Sequence, residues 1–254
     1  MEAVAATAAP AEAQDARARA GDREAFNSLY RPQFEALYDF VLRIVREREL
    51  ATEVVRQVFD AAWRAFPEQG NDVAAWLFTT ARACALDALR YRRDRNGDER
   101  EALHFTQIDG NRVPDAAVFD QRLAELVWDA AAALPREEYS LLALHARHDF
   151  SADEIGEPSS RIAWLRESLD EGVTFTLVAQ RARHTCTELE ILTKQGGERE
   201  VAQHIRRCSR CRESSRAFVS PSAVLGSLEL IEPSRGLERE IFKRSPRRRR
   251  FGIL

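Results

Sequence analysis

The chain has 254 residues, enough for one to two domains at roughly 150 residues each. With 44% hydrophobic and 31% charged residues it reads as globular, which excludes a membrane-embedded, collagenous or wholly disordered protein. Its 38 basic and 41 acidic residues leave a formal charge of −3, so any contact with nucleic acid must be local. Positive charge is bunched at Arg90 to Arg95 and again at Lys243 to Arg250. No apolar run approaches the roughly 18 residues of a membrane span. The Ala-rich residues 1–20 have Glu2 where a signal peptide carries basic residues, so a disordered tail and a cytoplasmic protein are expected.

The first ordered segment opens at Asp22, a helix cap followed by apolar residues at helical spacing from Phe26 to Val45, with Pro32 expected to kink or restart the helix. A second amphipathic stretch places Ala51, Val54, Val55, Val58, Phe59, Ala62, Trp63 and Phe66 on one face, with Glu53, Arg56, Gln57, Asp60 and Arg64 off it. Pro67, Gly70 and Asn71 break it. A third helix carries Val73, Trp76, Leu77, Ala81, Cys84 and Ala88 into the Arg90, Arg92, Arg93 and Arg95 cluster. At this spacing Trp63, Trp76 and Cys84 read first as core residues.

Residues 96–118 turn polar, with Gly97, Gly110 and Pro114, and are expected to form a mobile linker. Helical periodicity resumes over 119–183. Pro135 suits a first helical position, Ser151 with Glu154 forms a capping box, Pro158 stops that helix within about two turns, and a longer helix runs from Ser160. No strand pattern of convincing length occurs, so the fold is expected to be all-α. No phosphate-cradling loop, nucleophile elbow or paired carboxylates in an apolar setting occur either, and no enzyme is expected.

Four cysteines in a chain of this length do not make a disulfide framework. His204, Cys208 and Cys211 follow one another as His-x-x-x-Cys-x-x-Cys, which converges three ligands. Cys186 is free to supply a fourth, giving a closed tetrahedron suited to structural zinc, and His184 competes for that place. Cys208 and Cys211 are also expected to be a redox-sensitive pair whose oxidation releases the metal. Residues 219–254 read as a flexible extension ending in Arg247 to Arg250, a run that suits DNA phosphate, polymerase, an acidic membrane surface or simply solvent.

The succession Gly21-Asp22-Arg23-Glu24-Ala25-Phe26 with Leu29-Tyr30, Val54-Val55 to Val58-Phe59 with Ala62-Trp63, and Ala75-Trp76-Leu77 with Ala81-Arg82 and Ala85 to Arg90 resembles bacterial extracytoplasmic-function (ECF) sigma factors over residues 21–95. Leu134-Pro135-Arg136 and Phe150 to Gly156 resemble the second, helix-turn-helix domain of that family, over 119–183. The resemblance implies a promoter-melting domain whose second long helix docks on core RNA polymerase, making Glu53, Arg56, Gln57 and Asp60 contact candidates. It implies promoter DNA contacts for Asn71, Trp76, Arg82, Arg90, Arg92 and Arg93, and for Arg161 and Arg166 on the recognition helix. A single-stranded base needs an aromatic platform or pocket, and its backbone needs guanidinium groups, which agrees in kind.

Two departures from the family stand out. The turn between Ile155 and Ile162 is several residues short for a helix-turn-helix, and Glu167, Asp170 and Glu171 leave the recognition helix net acidic, against what phosphate recognition requires. Residues 184–218 resemble zinc-binding anti-sigma domains, which implies zinc and control in cis. Two functions are therefore expected to compete: a sigma-like initiation factor, or a degenerate relative acting as a zinc-dependent regulatory module that binds a protein partner.

Overall fold

The computed structural model describes residues 16–18, 20–65, 72–96, 121–181, 186–216 and 220–243. These are all-α, with no strand among the described residues. They form two compact units, one within 1–110 together with 230–254, the other within 111–229. The expected linker at 96–118, the competing ligand His184 and the Arg247 to Arg250 run lie outside the described residues, apart from Asn96 at a helix end.

In the first unit, α1 (Arg23–Tyr30) begins where the Asp22 carboxylate accepts the backbone N–H groups of Glu24 and Ala25. A 3₁₀ turn (Arg31–Gln33) surrounds Pro32, because proline lacks the N–H that a continuous helix would use there. Beyond it run α2 (Phe34–Val45), α3 (Arg48–Ala65) and α4 (Val73–Asn96), the last capped by Asp72. Their apolar faces meet in a core rich in aromatic rings. Phe26 stacks on Tyr30 at 4.2 Å between centroids and meets Trp63 edge-on at 5.0 Å. Asp39 and Arg43 are wholly buried and paired at 2.8 Å, one turn apart on α2. A buried pair of this kind survives only when its remaining lone pairs are met, and the backbone N–H of Ile231 donates to the same Asp39 oxygen at 3.0 Å.

The second unit contains α5 (Gln121–Ala133), α6 (Arg136–His148), the single turn α7 (Ala152–Ile155), α8 (Ser159–Arg181), α9 (Thr187–Gln195), α10 (Glu198–Arg207), α11 (Ser209–Arg216) and α12 (Pro221–Ser227). Pro135 is the cap of α6 and not its first helical residue. The Ser151–Glu154 capping box is present. Gly156, left-handed at φ 77°, ends α7, a conformation that glycine alone adopts without penalty. α8 buries Ile162, Leu165, Leu169, Val173, Leu177 and Val178, a stripe that runs nearly its whole length.

Three expectations about organisation are corrected. Within the tail expected at 1–20, Ala16, Arg17 and Ala18 are helical, Ala18 is fully buried, and Arg17 pairs with Asp22 at 2.6 Å. The zinc-type segment 184–218 is no separate module, because its small core is completed by Val178 and Phe175 of α8. The extension expected to be flexible from 219 carries α12 and a further helix, α13 (Leu237–Lys243), and buries Val224, Leu225, Leu228, Ile231, Leu237, Ile241 and Phe242. Spaced one or two at a time among polar residues, these apolar side chains gave no long periodic run from which to read a packed segment.

α12 illustrates how such a short helix is held. The Asp170 carboxylate of α8 accepts the Ser222 N–H at 2.7 Å and the hydroxyls of Ser220 and Ser222 at 2.9 and 3.1 Å, capping its N-terminus from another helix. At the other end the Arg147 guanidinium donates to the carbonyls of Leu225 and Leu228. Gly226 lets the helix lie against α6, since a Cβ there would fall 2.3 Å from the Ala146 carbonyl oxygen.

Candidate functional site

The four polymerase-contact candidates form one strip along α3, because positions 53, 56, 57 and 60 fall on about a third of a helical turn. Glu53 and Gln57 are exposed, 3.4 Å apart, and border a shallow groove between α3 and α4 lined also by Leu50, Val54, Cys84 and Tyr91. Arg56 and Asp60 are half-buried on the opposite margin. The Arg56 guanidinium is not free there: it pairs with Glu240 of α13 at 2.6 Å. Asp60 lies close enough to Arg23 to support that guanidinium's charge against the lowering effect of burial.

Among the nucleic-acid candidates, Asn71 lies outside the described residues. Trp76 and Arg82 are half-buried on α4, whereas Trp63 is core, as its spacing implied. Arg90 and Arg93 are exposed at the end of α4, Arg90 alongside Asp87 at 3.0 Å. Arg92 instead clasps Glu47, just before α3, through both guanidinium nitrogens, one bond being 2.9 Å. Such a bidentate pair fixes the helix end and occupies the fork that a phosphate would need. Tyr91, which sequence reasoning passed over within the arginine run, is 64% exposed next to these residues. Cys84 is only partly buried, at the groove, and burial together with Asp87 pushes its thiol up.

On α8, Arg161 is exposed and paired with Glu157 at 2.9 Å, and Arg166 is exposed near Glu167, Asp170 and Glu171. The acidic residues that looked wrong for a recognition helix have their own partners. Asp170 caps α12, and Glu171 pairs with Arg206 of α10 at 2.7 Å while the same guanidinium lies over the Phe175 ring. These partners come from segments 35 and 50 or more residues away in sequence, where no local pattern reveals them.

The four expected metal ligands converge. The side-chain ligand atoms of Cys186, His204, Cys208 and Cys211 lie within 4.8 Å of one another, three of the residues buried and Cys208 partly so. Cys186 precedes α9, His204 lies in the last turn of α10, Cys208 ends that helix with its N–H on the His204 carbonyl, and Cys211 lies in α11. His204 Nε2 is 3.3 Å from Cys186 Sγ and 3.5 Å from Cys211 Sγ. In a tetrahedral zinc site with Zn–S of about 2.3 Å and Zn–N of about 2.0 Å, ligand atoms stand roughly 3.5–3.8 Å apart, so the spacing fits. Glu188 faces the other ring nitrogen of His204 at 3.4 Å, the orienting contact usual for a ligating imidazole. Without a cation the thiols are mismatched: burial, with Cys208 and Cys186 adding, pushes Cys211 up to about 12, while the Cys211 backbone N–H lowers Cys208.

No described helix is long and apolar enough to cross a membrane. Residues 29–95 match the family model for Sigma-70 region 2. The chain is 27% identical over 173 residues to the ECF RNA polymerase sigma factor BldN of Streptomyces coelicolor, covering 66% of this chain and 62% of that protein. To the RNA polymerase sigma factor CarQ of Myxococcus xanthus it is 28% identical over 142 residues, 55% of this chain and 79% of that protein. No solved structure matches significantly. The helices α2 to α4, with the polar strip on α3 and the arginines at the end of α4, thus lie in a stretch matching Sigma-70 region 2, in a chain similar to ECF sigma factors.

Proposed function

We propose that this chain is a sigma-like transcription initiation factor that binds core RNA polymerase through the α3 strip of Glu53, Arg56, Gln57 and Asp60 and opens promoter DNA through residues 68–95. The observation that carries the reading is the coincidence of the Sigma-70 region 2 match at 29–95 with a polar strip on α3, exposed at Glu53 and Gln57 and half-buried at Arg56 and Asp60, opposite that helix's buried face. Trp76, Tyr91, Arg82, Arg90 and Arg93 supply the aromatic and cationic groups that an unstacked strand requires. Run-off transcription with purified core polymerase tests it. Promoter-dependent transcripts are expected, and absence of both core binding and promoter opening from the zinc-loaded protein refutes the proposal.

Cys186, His204, Cys208 and Cys211 would hold a zinc ion. Bound there, zinc would act as a cross-link between the start of α9, the end of α10 and α11, with no open position for substrate. The chain's own residues do the rest: Phe175 and Val178 dock this small core on α8, and Arg206 pairs with Glu171.

A second reading, a regulatory protein-binding module without initiation activity, is favoured by one observation. Asp170 and Glu171 of α8 are engaged by the chain's own later segments, and the preceding scaffold helix α7 is a single turn, so the second unit is poorly arranged to read DNA. A pull-down with purified core polymerase separates the two, since this reading requires that no productive core complex form.

A further inference from the structure

Arg90, Arg92 and Arg93 stand near the end of α4, where successive side chains point about 100° apart, so the three cannot share one face. Arg90 and Arg93, three residues apart, are neighbours on one side and both are exposed. Arg92 is turned about 160° from Arg90 and lines the groove between α3 and α4, with Leu50 and Gln57. Its two terminal guanidinium nitrogens donate to the two carboxylate oxygens of Glu47, which lies 45 residues earlier. The turn joining α2 to α3 presents that carboxylate to α4. There Arg46 takes a left-handed conformation (φ 59°), uncommon for a residue with a side chain, and its N–H closes α2 on the Leu42 carbonyl at 2.7 Å. The Glu47 and Arg92 side chains are 28% and 40% exposed, whereas Arg90 and its neighbour Asp87 are 60% and 71% exposed. The first pair is a link between two helices; the second is a loose contact within one.

We propose that Glu47 is a positioning residue: it withholds Arg92 from promoter DNA and fixes the last turns of α4, so that Arg90 and Arg93 carry the phosphate contacts of this cluster. The inference rests on the proposed role of α4 in promoter opening. An arginine draws a phosphate through an uncompensated charge and a planar fork of donors. Arg92 offers neither, because its terminal nitrogens already hold a carboxylate. The pair is neutral as a unit, so bringing it to a strand releases no counterion. Opening it would leave the Glu47 carboxylate beside the incoming phosphate, and the two negative charges repel. What the pair supplies is a tether between the turn ahead of α3 and the end of α4, which holds Arg90 and Arg93 outward. Charge read along the sequence gives three arginines for DNA here, and the fold removes one of them.

The test measures how the affinity for a labelled promoter fragment depends on salt, using the full zinc-loaded chain bound to purified core polymerase. The slope of log affinity against log salt reports the phosphates neutralised, about 0.7 for each contact on a single strand and about 0.9 on a duplex. Arg90→Ala and Arg93→Ala are each expected to make the slope shallower by about 0.7–0.9, while Arg92→Ala weakens binding with a slope within about 0.2 of wild type. Glu47→Gln keeps the side chain's size and removes its charge, so Arg92 is left uncompensated and the slope is expected to steepen by about 0.7–0.9. Amide exchange over residues 88–94 is expected to be faster in Glu47→Ala, from loss of the tether. An Arg92→Ala slope as shallow as that of Arg90→Ala overturns the proposal, as does an unchanged slope in Glu47→Gln or wild-type exchange in Glu47→Ala. If no complex with core forms, or if none of the arginine variants alters the slope, the promoter-opening reading itself fails and the proposal falls with it, an outcome distinct from a phosphate contact by Arg92.

Discussion

Asp170→Ala separates two accounts of the acidic residues on α8. If Asp170 merely spoils a DNA-reading helix, removing it should leave stability unchanged and improve DNA binding. The structure makes it the N-terminal cap of α12, accepting one backbone N–H and two hydroxyls. Loss of a helix cap costs about 1 kcal/mol, and loss of charge-assisted hydrogen bonds that leave a donor unmet in the 7% exposed Ser222 adds comparably, so about 2 kcal/mol is expected in total. For a cooperative unit of this size that corresponds to a fall of roughly 6–10 °C in the melting midpoint. Scanning calorimetry of the zinc-loaded protein measures it, with Glu167→Ala, an exposed position on the same helix, as a control expected within about 0.5 kcal/mol of wild type. A midpoint unchanged by Asp170→Ala, or raised by it, refutes the capping argument.

Metal analysis of the purified chain should find about one zinc, lost or strongly weakened in Cys208→Ser and Cys211→Ser, weakened less in His204→Ala, and retained in Cys84→Ser, whose thiol lies in the other unit. Oxidation by a peroxide should release that zinc through Cys208, the least buried of the three thiols, and zinc release as fast in the reduced protein without oxidant would exclude such a switch. Asp22 should contribute a pH-dependent stability. Hydrogen bonds from the Ala25 N–H and Arg17 hold its folded carboxyl below the ordinary 3.8, so its contribution is full above that value and disappears as pH falls through the depressed folded value. Denaturation of wild type and Asp22→Ala should therefore differ at pH 7 and converge in strong acid. Gly226→Ala should cost about 1–3 kcal/mol, read by urea denaturation, because the new methyl meets the Ala146 carbonyl of α6 and backbone cannot yield as a side chain can.

The amino-acid sequence by itself determined the helices of residues 22–95 and the start of the long helix near Ser160, with two of the caps. Asp22, Ser151 with Glu154, and the apolar stripes of α2, α3 and α8 act within one or two turns, so spacing alone reveals them. It determined three of the metal-ligand candidates as well, because His-x-x-x-Cys-x-x-Cys is a local pattern. That Cys186 joins them was open in sequence, and became definite only when α9 and α10 were brought together by Leu189 and Ile205 against Val178. Only the tertiary structure decided what the charged residues do. Arg56, Arg92, Asp170 and Glu171 are all surface-type residues in sequence, and each is engaged by a partner distant along the chain: Glu240, Glu47, the start of α12 and Arg206. The same holds for residues 220–243, whose few apolar side chains are too sparse for a periodic signal yet fill slots that other helices leave. Periodicity reports which face of a helix is buried. It carries no information about which distant segment buries it, because that choice is made by shape and charge matched across the fold.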